Sequence, residues 1–193
     1  MKELLKEYFR PSTSWVFLVA FTVASVSGFL ILDVRDAAFG AALAALVLFV
    51  AAFDIDRFEI PDLGNLGILV LGLAWTINAS GVDVSVLAQA LLRIALAAGF
   101  LLAIRAVYWR VRRTEGLGLG DVKLAGAGAA WLLWSNLALA LLIAAGAAII
   151  LIAVQSLLKG EKLQATTAIP FGAFLAPAIW VAWFTQVQTD WLV

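Results

Sequence analysis

The side chains able to do chemistry in this chain of 193 residues are mostly carboxylates, because it holds no cysteine and no histidine. Disulfides, thiolate catalysis, a zinc site built on cysteine or histidine, and any Ser-His-Asp arrangement are thereby excluded. Two acids stand out by position. Asp121 opens an apolar run and follows the alternating Gly116, Gly118 and Gly120, which free the backbone for unusual dihedrals and let another segment come close. Asp54 closes an earlier apolar run and leads into Ile60-Pro61-Asp62, where the proline suits the first turn of a new helix. Burying a carboxylate at such a helix end costs on the order of several kcal/mol unless it is protonated, paired or wet. Asp56, Glu59 and Asp62 read more simply as acids solvating a loop beside Arg57. A glycine-rich turn into a helix also has the shape of a phosphate cradle. Here no strand precedes it and the Lys-Ser/Thr ending of a P-loop is missing, so Lys123 reads as a headgroup-level cation.

The elements that must position these acids are membrane helices. Hydrophobic residues make up 64% of the chain and charged ones 13%, with a mean hydropathy of +1.04; those proportions belong to a lipid-embedded protein. Thirteen basic residues balance thirteen acidic ones, which offers nucleic acid no attraction. Apolar runs near bilayer-spanning length occur at 14–32, 37–53, 63–77, 84–108, 122–134, 137–158 and 171–187. The expected fold is therefore an all-α polytopic bundle of about seven transmembrane helices, six being the alternative. Residues 1–13 form an amphipathic lead-in with no cleavage-site pattern, and the whole of 1–193 reads as one membrane-embedded domain.

Charge then orients the bundle. Lys2, Lys6, Arg10, Arg57, Arg110, Arg112, Arg113, Lys123, Lys159 and Lys162 fall on one set of loops, and Arg35 alone on the other. The positive-inside rule puts the N-terminus, and both singled-out acids, at the cytoplasmic face. Runs such as Ala125 to Ala130 and Ala144 to Ala148 suit close helix packing. Trp15, Trp109, Trp134 and Trp191 fall near the expected interfaces. Arg93 lies deep within the fourth segment and calls for a polar partner or a water path.

Gly118-Leu119-Gly120-Asp121 with Lys123, preceded by Asp54 and Ile60-Pro61-Asp62, resembles the type IV prepilin peptidases, membrane aspartyl proteases of the GxGD class. Ile169-Pro170-Phe171-Gly172-Ala173-Phe174-Leu175 is similar to a third motif of that family, with Ala173 standing where the family has proline. The resemblance runs from about Ala37 to Ala178 and is to a short form lacking the cysteine-rich cytoplasmic insertion. It implies cleavage of the basic leader from type IV prepilins or pseudopilins at the cytoplasmic face of a bacterial-type inner membrane. By the same resemblance Asp54 and Asp121 are the catalytic pair. Gly118, Gly120, Lys123, Ile60, Pro61, Asp62, Pro170, Phe171 and Gly172 support the motifs. No cofactor or metal is called for, the partners are a prepilin helix and the bilayer, and methyl transfer and oligomeric state stay open.

A paired dyad would share one proton, one acid activating water while the other protonates or polarises the scissile carbonyl. Helix dipoles, worth on the order of 1 kcal/mol, point to Asp121 as the ionised base and Asp54 as its protonated partner. Asp56, Glu59, Asp62 and Glu115 are weaker candidates for attracting the basic leader. Two competing readings are a small transporter, which would set its acids near the midplane, and a non-catalytic assembly subunit.

Overall fold

In hydrocarbon a chain must satisfy its own N–H and C=O groups, and apolar runs of this length do so as helices. The computed structural model describes residues 13–159 and 169–189. Among the described residues there are seven helices and no strand: α1 Thr13–Ile31, α2 Val34–Arg57, α3 Asp62–Ser80, α4 Val84–Arg112, α5 Leu119–Gly128, α6 Trp134–Lys159 and α7 Gly172–Thr189. The fold is the expected all-α bundle. Apart from Thr13, the lead-in lies outside the described residues, as do Lys162 and Trp191.

Four of these helices, α2, α3, α4 and α6, are long and apolar enough to cross a bilayer. The protein is a multi-pass membrane protein. Leu91, Leu92, Leu96 and Phe100 on α4, with Leu142, Ile149 and Ile150 on α6, are exposed as side chains in contact with lipid would be. Helix α2 packs against α1, α3 and α7; α6 lies on α7; and α5 is enclosed by α3, α4 and α7. Leu43, Val47 and Val50 of α2 meet Ile68, Leu124, Leu175 and Ile179 in the fully buried core. At the far end of that core Trp131 stacks on Trp75 at 5.9 Å and meets Trp183 edge-on at 5.8 Å.

The fifth segment holds a shorter helix than its apolar run suggests. That helix has 10 residues, about 15 Å of length against a hydrocarbon core of roughly 30 Å, so the helix alone is too short to cross and the chain reaches the far end of the core through residues 129–133. After Gly128 the chain tightens into i→i+3 bonds, Ala130 N to Ala127 O and Trp131 N to Gly128 O, and turns into α6. Side chains satisfy the broken backbone. Thr76 Oγ1 donates to Ala130 O at 3.1 Å, Gln186 Nε2 donates to Trp131 O at 3.1 Å, and Leu133 N donates to Gln186 Oε1 at 2.7 Å. Irregular backbone persists at membrane depth only where protein supplies such partners. Hydropathy is blind to this break, because Trp131-Leu132-Leu133-Trp134 is as apolar as the helix before it.

Helix α2 runs one turn further than its apolar stretch. It ends where Phe58 takes φ 56° and ψ 33°, its N–H bonded to Asp54 O. A non-glycine residue enters that left-handed region at a cost of about 1–2 kcal/mol; the reversal sends Glu59, Ile60 and Pro61 back across the end of α2. Pro61 is the N-cap of α3, one position before the helical turn expected for it, and its C=O accepts from Gly64 and Asn65.

Candidate active site

Asp54 lies inside the last turn of α2, not beyond its end, and Asp121 is the third residue of α5; both are buried. Asp121 Oδ2 accepts from the N–H of Gly118, the N-cap of its own helix, at 3.2 Å, which is the acidic half of a capping box. Asp54 Oδ2 accepts from the Ala173 N–H at 2.8 Å. The adjacent Gly172 N–H acts on both carboxyls. The start of α7 therefore sits against both acids with its positive dipole end. Asp54 and Asp121 also line one cavity of about 380 Å³, together with Glu59, Ile60, Asp62 and Lys123.

Ile60 locks the three motifs together. A Cβ on Gly120 would come within 2.9 Å of the Ile60 side chain, and one on Gly172 would overlap Ile60 Cδ1 and lie 3.0 Å from Asp54 Oδ2. Both positions thus use glycine for close approach. Among the described residues the positive-φ glycine is Gly81, so Gly116, Gly118 and Gly120 do not take the unusual dihedrals their spacing suggested. Phe171 caps α7, its C=O accepting from Phe174 and Leu175, and Pro170 is buried before it.

The charged residues divide. Lys123 Nζ meets Asp62 Oδ1 at 2.7 Å across the cavity rim, tying α5 to α3. Glu59 lines the cavity as well. Asp56 pairs loosely with Arg57 at 3.9 Å, both well exposed, and Glu115 pairs with Arg105 at 2.8 Å; neither acid is on the cavity wall. Arg105 went unmarked in the sequence because it reads as one more cation near a cytoplasmic helix end.

Burial first, and then the charge of Asp54, push the Asp121 carboxyl up to about 7, against the pull of the Gly118 and Gly172 N–H groups. The helix dipole does not outweigh these effects on Asp121. Two carboxyls in one partly enclosed cavity, one of them titrating near neutrality, can hold a single proton between them and polarise water and a carbonyl together.

Residues 41–154 match the type IV leader peptidase family. The chain belongs to the type IV leader peptidase family. It is 36% identical over 151 residues to the prepilin leader peptidase/N-methyltransferase of Stutzerimonas stutzeri, covering 76% of this chain and 50% of that protein. The Burkholderia pseudomallei (strain 1026b) protein of the same name is 38% identical over 144 residues, covering 72% and 43%, and the Escherichia coli (strain K12) one 34% over 130, covering 67% and 55%. The chain thus spans about half the length of the curated relatives it matches. No solved structure matches it significantly. The leader peptidase family match ends before α7, yet α7 supplies the N–H groups that face both acids.

Proposed function

We propose that this chain is a membrane aspartic endopeptidase that removes the basic leader from type IV prepilins or pseudopilins, with Asp54 and Asp121 as the catalytic pair. One observation carries the reading: acids from two separate helices converge on one cavity against the start of a third. Asp121 holds the shared proton and presents it to the scissile carbonyl oxygen. Asp54, oriented by the Ala173 N–H, takes a proton from water as that water attacks the carbonyl carbon. This reverses the assignment drawn from helix dipoles alone. Gly118, Gly120, Gly172 and Ile60 set the spacing of the pair. Pro61, Pro170 and Phe171 start the helices that carry its surroundings. Lys123 and Asp62 brace the rim, and Glu59 offers the leader an acidic contact. The proposal covers peptide-bond cleavage alone.

Cleavage is assigned to the cytoplasmic face of a bacterial-type inner membrane, because Arg57, Arg110, Arg112 and Lys123 share the end of the bundle that holds the cavity. Purified protein incubated with a prepilin in detergent is expected to shift its mobility, and both Asp54→Asn and Asp121→Asn are expected to abolish the shift. Undiminished cleavage by both variants would remove the reading. The chain has no cysteine, so a single Val82→Cys tests the topology directly. An impermeant thiol reagent added outside intact cells is expected to label it, and labelling solely after lysis would invert the orientation.

A further inference from the structure

Helix α4 grips the segment that leads into Asp121. Arg105 reaches from α4 with its side chain largely buried: Nη2 donates to Glu115 Oε1 at 2.8 Å and Nη1 donates to the carbonyl of Leu117. One turn further along the same face, the Tyr108 ring lies so close under Gly116 that any Cβ there would overlap it. Glu115, Gly116 and Leu117 are thus held from one helix at three successive positions. The bond to Leu117 has a further consequence. Its carbonyl and the Gly118 N–H belong to one planar peptide unit, and that N–H donates to Asp121 Oδ2.

We propose that Arg105 is a positioning residue for Asp121, acting through the Leu117–Gly118 peptide. The guanidinium on the carbonyl fixes the plane of that peptide and polarises it, so the N–H on the opposite edge is aimed at the carboxyl and strengthened as a donor. The planar fork of arginine holds the two bonds in fixed relation, Nη1 on Leu117 and Nη2 on Glu115, where an ammonium on a flexible stem would hold them less rigidly. This inference rests on the protease reading and deepens it. The other groups acting on or around Asp121 are Asp54 of α2, Glu59 of the loop after it, the Gly172 N–H of α7, Asp62 of α3 and Lys123 of α5; among the described residues the side-chain bond to the Leu117 carbonyl comes from Arg105.

The test compares Arg105→Gln, Arg105→Lys and Glu115→Gln with the unaltered chain in prepilin cleavage across pH. Arg105→Gln is expected to lower kcat about ten- to a hundredfold with little change in KM, and to move the alkaline limb of the profile to higher pH. The direction follows because a weaker donor and a lost cation favour the protonated form of Asp121. Arg105→Lys is expected to recover part of kcat with the limb near its original place. Glu115→Gln, which leaves the Leu117 bond intact, is expected to stay within about threefold of the unaltered chain. A kcat loss with the limb unmoved marks a merely structural role and overturns the inference, as does a Glu115→Gln defect equal to that of Arg105→Gln. If Arg105→Gln does not fold, Arg105→Met decides on the same readouts: lowered kcat with the alkaline limb moved to higher pH supports the inference, and an unmoved limb overturns it. Failure of the protease reading is separate, since it appears as cleavage surviving Asp54→Asn and Asp121→Asn.

Discussion

Asp121 carries a cost that the proposed catalytic role accounts for. Its carboxyl titrates near 7 in the folded protein against an ordinary 3.8, so between those values the folded chain holds a proton that the unfolded chain has released. Its contribution to stability is complete below about pH 4 and is lost as pH rises through about 7. Asp121→Asn is expected to raise the melting temperature in detergent by a few degrees at pH 8, to leave it nearly unchanged at pH 4, and to abolish cleavage. In the unaltered chain cleavage is expected to decline above pH 7 as the pair loses its shared proton. A pH series of melting curves and initial rates checks both. Gly172 is tested by its neighbour. Gly172→Ala would press its methyl against Ile60 and Asp54, and is expected to slow cleavage about tenfold or more, while Ile60→Ala in the same chain restores part of the rate.

Among the elements, α5 is the one whose length matters most. A helix that stops part-way leaves carbonyl and amide groups at membrane depth, and Gln186 serves Trp131 O and Leu133 N at once. Gln186→Leu keeps the volume and strands both groups, at about 1–3 kcal/mol for each buried group left unpaired. Thermal unfolding in detergent is expected to fall by several degrees, with no change in the pH dependence of the remaining activity. Helix α4 illustrates the opposite case: at 29 residues it is about 43 Å long, and its overhang carries Arg105 and Tyr108 to the segment ahead of Asp121.

For the whole molecule, Arg93 is the charge still unaccounted for. It is buried on α4, its Nε has no hydrogen-bond partner, and among the described residues no carboxylate pairs with it. Replacing an unpaired buried cation with an apolar side chain of similar length removes a desolvation cost. Arg93→Met is expected to raise the melting temperature by a few degrees; a fall would place a partner for Arg93 outside the described residues. Much of the bundle was legible from composition, since apolar length dictates helices in lipid. Gly118 to Asp121 and Ile60 to Asp62 were legible as well, because local spacing survives in the sequence. The break in α5, the wedge of Ile60 between Gly120 and Gly172, the N–H groups of α7 against both acids and the grip of Arg105 were not. Each joins residues distant along the chain or depends on which backbone groups find partners, and neither distance in space nor hydrogen-bond satisfaction is written in hydropathy.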